Sequence, residues 1–206
     1  MKFPQFALIV ITLVLSTSTN AALLSRLGGL AYYDTDSDLT WLTDTRYAMT
    51  SGHISGGYMN WVDANAWVTG LEVAGVTGWR LPNGEAGCTW NCNGELDNMF
   101  YNIFEGTPDF IPILYPNENY KLFLNLNSTY WTSTRESCFC GNYHELIYFD
   151  YFFDFLTGAQ ANTNNFMAWT WAVHDGDVGA VPLPAAVWLF LSGFIGLVGI
   201  AKRKTY

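Results

Sequence analysis

Two apolar segments at the ends of the chain set apart the part that can fold as a globular domain. Near the N-terminus, Lys2 precedes a run of ten apolar or hydroxyl residues, 6–15, and the small residues Ala21 and Ala22 follow. This order is typical of a secretory signal peptide, and so short a run does not span a bilayer. The sequence therefore predicts a signal peptide over residues 1–22 and an exported protein.

The C-terminal segment has the pattern of a single membrane-spanning helix. Residues 185–201 carry no charge and follow Pro184, a residue that suits the first turn of a helix. A helix over 184–201 would be about 27 Å long, close to the roughly 30 Å hydrocarbon core of a bilayer. A membrane-spanning helix is typically followed on the cytoplasmic side by basic residues, which act as a basic stop. Here these residues are Lys202, Arg203 and Lys204. We therefore predict a transmembrane helix within a tail formed by residues 180–206.

This tail resembles the PEP-CTERM class of bacterial sorting tails in its Val-Pro-Leu-Pro-Ala variant. The motif that carries the resemblance is Val181, Pro182, Leu183, Pro184 and Ala185, followed by the apolar run and Lys-Arg-Lys. The resemblance implies an exosortase, a membrane-embedded enzyme that removes the tail, and secretion alongside exopolysaccharide. The membrane would then hold the protein only until processing. An uncut tail on a membrane-tethered structural protein is the alternative.

The segment between the two ends, residues 23–179, is strongly acidic. It contains five Lys or Arg residues and all eighteen Asp or Glu residues, a formal charge of −13. This charge disfavours nucleic acid or a highly sulfated polymer as a directly bound partner. Neutral glycans, or anionic glycans bridged by divalent cations, remain compatible with it. The segment is long enough for one domain with its own core.

Four cysteines occur in two close pairs, Cys88 with Cys92 and Cys138 with Cys140. In an exported protein an even number of cysteines indicates disulfides, and four cysteines allow three connectivities. Because a bridge across one residue is hard to reconcile with disulfide geometry, we expect two bridges that join one pair to the other. A zinc site that also uses His144 is the alternative, which the irregular spacing and an oxidising compartment disfavour.

Helical and strand patterns alternate along the acidic segment in an order that predicts an α+β fold. The two helices come before most of the strands, which favours antiparallel pairing over a parallel α/β sheet. Periodicity and β-branched or aromatic content predict strand–turn–strand at 30–42, helices at 60–73 and 94–104, a short buried segment at 77–85, and strands at 129–134, 145–153 and 166–177.

The same order of motifs resembles the Lcl C-terminal domain family over residues 29–178. The most specific motif is Gly78, Trp79, Arg80, Leu81 and Pro82, followed some fifty residues later by Tyr130, Trp131, Thr132 and Ser133. The resemblance implies a C-type-lectin-like α+β fold of two helices and several antiparallel strands, seen in adhesins and surface proteins. It also implies that an extracellular polysaccharide is a possible partner.

Three alternating carboxylates, Asp34, Asp36 and Asp38, form the sharpest candidate for a cation site. Such spacing occurs in the calcium loop of an EF-hand. Here Leu39 replaces the glycine at position six and Thr45 replaces the glutamate at position twelve, which excludes an EF-hand. We favour a hairpin turn held by aspartate–backbone hydrogen bonds and expect no cofactor, with calcium as the minor alternative.

Arginine and tryptophan provide the other candidate binding residues. Arg80 lies between Trp79 and Leu81, so its charge is expected to be partly buried and to need a carboxylate partner. Tryptophan faces can stack on sugar rings, although at strand positions most tryptophans belong to the core. The candidates for stacking are Trp79, Trp131, Trp169 and Trp171.

The sequence offers little support for catalysis. His53, His144 and His174 stand outside any recognisable nucleophile or metalloprotease motif. We therefore expect a non-enzymatic surface or matrix protein associated with exopolysaccharide. A cell-envelope polysaccharide-acting enzyme on the same fold is the alternative.

Overall fold

A computed structural model of the chain describes residues 23–107, 111–140 and 145–179. The predicted signal peptide, the sorting tail and its helix over 184–201 lie outside these residues, as does His144. Within the described residues, no helix is both long and apolar enough to cross a membrane.

The first sheet joins the beginning of the domain to its end. Its strands are β1 (Leu23–Arg26), β2 (Ala31–Asp34), β3 (Leu39–Leu42) and β7 (Val173–Asp175). All three pairings in the order β1-β2-β3-β7 are antiparallel. The strand–turn–strand predicted at 30–42 is confirmed as β2 and β3, because the acidic turn between two aromatic segments folds them into a hairpin.

The second sheet is a meander of three consecutive antiparallel strands. These are β4 (Thr129–Phe139), β5 (Leu146–Asp154) and β6 (Ala159–Thr163). The strands predicted at 129–134 and 145–153 are confirmed, and β4 extends five residues further. The register between β4 and β5 shifts between Trp131 and Arg135. The sequence did not predict β6, because its polar residues lack an apolar alternation.

Short helices cover the sheets. They are α1 (Tyr47–Thr50), α2 (Trp61–Thr69) and α3 (Glu95–Asn98), and α3 continues as one π-helical turn over Met99–Ile103. Asn60 caps α2 by accepting a 2.9 Å hydrogen bond from the backbone N–H of Asp63. The helices predicted at 60–73 and 94–104 are confirmed with shorter bounds.

The strand predicted at 166–177 is wrong over most of its length. Only β7 at its end is a strand. Earlier in this segment, Ala168 exchanges backbone hydrogen bonds with Met59, and the carbonyl of Trp169 accepts one from the N–H of Trp131. The segment passes from one sheet to the other, so it cannot pair continuously with either.

The core between the two sheets is aromatic. Trp41 and Trp171 pack at a centroid distance of 4.9 Å with their rings tilted by 56°, and Phe123 meets Trp171 edge-on at 5.2 Å. The helix predicted at 94–104 buries one apolar face in this core, and the face comprises Leu96, Met99, Phe100 and Ile103. Two antiparallel sheets with few helices confirm the α+β class.

Candidate functional site

The Asp34–Asp38 turn has the hydrogen bonds of a hairpin turn. The carboxylate of buried Asp34 accepts the backbone N–H of Asp36 at 3.0 Å and the hydroxyl of Ser37 at 2.5 Å. Asp38 accepts the hydroxyl of Tyr33 at 2.8 Å. Among the described residues, the carboxylate oxygens of Asp34, Asp36 and Asp38 do not all come within 4.8 Å of one another.

The Gly78–Pro82 motif places an ion pair at the junction of three segments. Gly78 has a left-handed backbone (φ 87°), and Trp79 after it is buried. Arg80, for which the sequence predicts a carboxylate partner, donates to Glu95 at 2.8 and 2.7 Å and to Asp175 at 2.9 Å. The arrangement ties this motif to α3 and β7. Leu81 is buried in the core, and Pro82 accepts a 2.7 Å backbone hydrogen bond from Ser133.

Tyr130 and Trp131 belong to the core. Burial raises the pKa of the Tyr130 hydroxyl, which lies 2.8 Å from the hydroxyl of Thr45. Trp131 donates its indole N–H to the carbonyl of Met59 at 2.7 Å. The tryptophans that the sequence offers as candidates for stacking on sugars are all buried, which leaves none of their faces open to a ligand. They are Trp79, Trp131, Trp169 and Trp171.

The cysteine pairing expected from the sequence is wrong. Cys88 is bonded to Cys92 and Cys138 to Cys140, with Cα–Cα distances of 5.9 and 5.2 Å. Cys138 is the second-last residue of β4 and Cys140 follows the strand, so this bridge closes over the single residue Phe139.

The two cysteine pairs lie in different segments beside the second sheet. The Cys88–Cys92 loop contacts the start of β6, where Thr89 accepts the N–H of Gln160. Cys138 lies near the far end of β4, where Ile147 of β5 is its partner. All four cysteines are used by the bridges Cys88–Cys92 and Cys138–Cys140, which leaves no sulfur for a cross-bridge and no thiolate for a zinc site that needs both pairs.

One group of potential metal ligands does come together, at Glu85, Cys88 and Cys92. Their ligand atoms lie within 4.8 Å of one another. Both sulfurs are joined in a disulfide, so the thiolates that zinc binds are not present.

A surface cleft of about 400 Å³ lies beside α2. It is formed by the loop before the helix, by the exposed side of the helix, and by Met167 from the segment that crosses between the sheets. The residues that line it are His53, Ile54, Tyr58, Met59, Asp63, Ala66, Trp67 and Met167.

Tyr58 is held in this cleft with its ring open to solvent. Gly57 before it has φ 74° and lies against the indole of Trp169, so that a Cβ at this position would clash with the ring. Tyr58 packs on the same indole at a centroid distance of 4.2 Å, and Met59 after it pairs with Ala168. With 45% of its surface exposed, Tyr58 is an anchored aromatic platform.

Polar groups stand around this platform. Asp63 lies in the first turn of α2, where Asn60 donates to its carboxylate at 2.8 Å. The exposed imidazole of His53 lies 6.1 Å from the ring of Trp67. Tyr58 therefore offers an aromatic face and a phenol hydroxyl, and Asp63 and His53 add a carboxylate and an imidazole in the same cleft. Such a combination can hold a ligand that has both apolar faces and hydroxyl groups.

The sequence did not identify this cleft. In the sequence, His53 is a candidate only for catalysis, and no motif marks Tyr58, Asp63 or Trp67 as ligand-binding residues. The available signal was the pair Gly56-Gly57 before Tyr58, since consecutive glycines often mark a close approach of backbone to another group.

A second exposed aromatic residue lies outside the cleft. Trp90, 65% exposed, projects from the loop closed by the Cys88–Cys92 disulfide. Because Trp90 is exposed but does not line the cleft, its substitution can serve as a control for a substitution of Tyr58.

No protein-family model, curated protein or solved structure matches the chain.

Proposed function

We propose that this protein is an exported, non-enzymatic surface or matrix protein that binds extracellular polysaccharide through the cleft beside α2. The observation that carries the proposal is the exposed ring of Tyr58, anchored on Trp169 and accompanied by His53 and Asp63. Sugar rings present apolar C–H faces that stack on aromatic rings and hydroxyls that bond to nearby polar groups.

The composition of the cleft supports binding rather than hydrolysis. Among the described residues that line it, Asp63 is the one carboxylate. Glycoside hydrolysis ordinarily uses a pair of carboxyl groups on either side of the scissile bond. A lectin-like version of the α+β fold, as the family resemblance implies, belongs to the same proposal.

Export and sorting form the second half of the proposal. The two disulfides are compatible with an oxidising compartment. The proposed signal peptide, the Val181–Ala185 motif and the basic stop at 202–204 would direct the chain to an exosortase-like enzyme. Until this enzyme acts, the helix over 184–201 would anchor the protein in the membrane.

Binding is tested with a panel of neutral and uronic-acid-containing polysaccharides, with and without calcium. We expect Tyr58→Ala to weaken binding about three- to tenfold, in line with the roughly 0.5–1.5 kcal/mol typical of aromatic contacts. Trp90→Ala is the matched control, since it removes an exposed aromatic residue elsewhere, and it should bind like the wild type. Absence of binding to every polysaccharide in the panel would contradict the proposal, and release of product from a bound one would favour the enzyme.

Sorting is tested by mass spectrometry of the protein isolated from its native host. We expect a C-terminus close to residues 181–185. A chain that still ends at Tyr206 would show that the tail is not cut and would favour the membrane-tethered alternative.

A further inference from the structure

Arg46 differs from the other basic residues of the domain. The described residues contain five Lys or Arg side chains, and Arg46 has no carboxylate partner among them. Each of the other four has one within 4.0 Å: Arg26 with Asp177, Arg80 with Glu95, Lys121 with Glu118, and Arg135 with Asp150. In a domain with so large an excess of acidic groups, an arginine without a carboxylate partner is unexpected.

The acidic residue nearest to Arg46 in the chain is committed elsewhere. The carboxylate of Asp44 accepts the backbone N–H of Arg46 at 3.0 Å, the hydroxyl of Thr50 at 2.6 Å and the amide of Asn125 at 2.9 Å. Asp44 therefore organises the start of α1 and does not neutralise the guanidinium.

The Arg46 side chain rests on the same indole that anchors the cleft. Its guanidinium carbon lies 4.7 Å from the ring centroid of Trp169, the ring on which Tyr58 packs. Two N–H donors of this stacked pair, Nε of Arg46 and Nε1 of Trp169, are buried without an acceptor. The terminal nitrogens of Arg46 donate no hydrogen bond to another described residue and are not among the buried unpartnered atoms, so they are at least partly accessible to solvent on a half-buried side chain.

A guanidinium that is already oriented by stacking is well suited to a carboxylate ligand. Its N–H groups form a planar fork that matches the two oxygens of a carboxylate. Stacking on Trp169 restricts the side chain before the ligand arrives, which reduces the entropy lost on binding.

We infer that Arg46 recognises the carboxylate of a uronic acid residue in the bound polysaccharide, while a sugar of the same chain stacks on Tyr58. This inference rests on the proposed function, because it assigns a substrate class to the ligand of the cleft. Arg46 does not line the cleft itself but shares the indole of Trp169 with Tyr58. One cation binds one carboxylate, and the surrounding negative charge repels densely charged polymers. The ligand is therefore a polysaccharide in which uronic acids are interspersed with neutral sugars, bound directly rather than through a divalent cation.

The first experiment compares three probes on the full-length wild-type protein in the presence of a chelator. They are an oligosaccharide with alternating glucose and glucuronic acid, the same oligosaccharide with its carboxyls methyl-esterified, and a neutral glucose oligosaccharide of equal length. We expect the acid to bind on the order of tenfold more tightly than its ester, since hydrogen bonds to charged groups are stronger than neutral ones. The preference should decrease as salt is added.

The second experiment uses two variants that change the net charge equally. Arg46→Gln should bind the acid and the ester with similar affinity and should keep the wild-type affinity for the neutral probe. Lys121→Gln removes an exposed cation that already pairs with Glu118, and it should keep the preference for the acid. If Arg46→Gln does not fold, Arg46→Lys retains the charge but loses the fork, and it should show a reduced preference.

The outcomes separate this inference from the proposed function. Wild-type protein that binds the ester and the neutral probe as tightly as the acid overturns the inference and leaves polysaccharide binding intact. An Arg46→Gln variant with an unchanged preference for the acid also overturns it. Failure of the wild type to bind any of the probes or the larger panel overturns both.

Discussion

At the scale of single residues, Arg80 connects parts of the chain that are far apart in sequence. It holds Glu95 of α3 and Asp175 of β7 while donating to the carbonyl of Leu81 at 3.0 Å. The need for a carboxylate partner could be predicted from the apolar neighbours of Arg80. The identity of the partner could not, because Glu95 and Asp175 approach only after both the helix and the first sheet have formed.

Glu95→Gln should lower the free energy of unfolding by about 1–3 kcal/mol, because it leaves the partly buried guanidinium of Arg80 with a weaker acceptor. Glu95 also accepts the backbone N–H of Asn83 at 2.8 Å, which adds to the loss. Chemical denaturation measures the effect. Glu118→Gln is the matched control, since Glu118 is exposed and pairs with Lys121 on the surface, and a change within about 0.5 kcal/mol is expected. Equal effects of the two substitutions would contradict a structural role for the Arg80 network.

Asp97 is a residue at which pH should change stability. It is 2% exposed, and its burial raises the pKa of its carboxyl above the ordinary 3.8, against a 2.9 Å hydrogen bond from the N–H of Cys92. Because the folded-state pKa is raised, the contribution of Asp97 to stability is present at low pH and is lost as pH rises through that pKa.

Asp97→Asn should therefore stabilise the protein relative to the wild type more at pH 7 than at pH 3, since the amide keeps an oxygen for Cys92 without a buried charge. Denaturation at several pH values checks this. Asp36→Asn removes the same charge at an exposed position and provides the comparison. A difference between Asp97→Asn and wild type that grows toward low pH would refute the assignment.

At the scale of elements, α2 positions the cleft. Its exposed side provides Asp63 and Ala66, and its buried side packs Ala64 and Val68 into the core. The start of this helix could be predicted from its periodic apolar residues. The direction in which the helix presents Asp63 depends on the cap at Asn60.

Asn60→Ala should cost about 1 kcal/mol of stability, because it removes the side-chain acceptor for the N–H of Asp63. The loss is measured by thermal or chemical unfolding. Asn65→Ala, in the middle of the same helix, serves as the control and should be neutral or slightly stabilising because alanine has the higher helix propensity. If both substitutions have the same effect, the cap does not contribute.

The elements that were missed share a physical cause. The strand β6 is polar because one of its sides faces solvent. The extended segment before β7 is aromatic, although it pairs only briefly with the loop at Met59 and then with the start of β4. The pattern of apolar and polar residues indicates which side chains are buried. It does not indicate which backbone groups of other segments will pair with a given segment.

At the scale of the whole molecule, the disulfides do not hold the two sheets together. Each closes a loop within its own neighbourhood, so the association of the sheets depends on the aromatic core and on the ion pairs. This distinguishes the structure from the cross-bridged arrangement expected from the sequence.

Trypsin digestion of the denatured, non-reduced protein should release two unlinked cysteine-containing peptides. Cleavage after Arg80, Lys121 and Arg135 places one cysteine pair in the fragment 81–121 and the other in the fragment that begins at Glu136. Mass spectrometry distinguishes the pairings, because cross-bridges would keep these fragments linked until a reductant is added. Free thiols should be blocked before digestion to prevent exchange.

The sequence by itself determined the local elements: the β2–β3 hairpin, the two helices with their apolar faces, and the α+β class. These depend on neighbours a few residues apart, whose periodicity is visible in the chain. Only the tertiary structure decided which aromatic residues are exposed, how the cysteines pair and where a ligand could bind. Tyr58 and Arg46 meet on the indole of Trp169, more than a hundred residues later in the chain. Contacts of this kind arise from the packing of segments that are distant in the chain, and local sequence patterns therefore do not predict them.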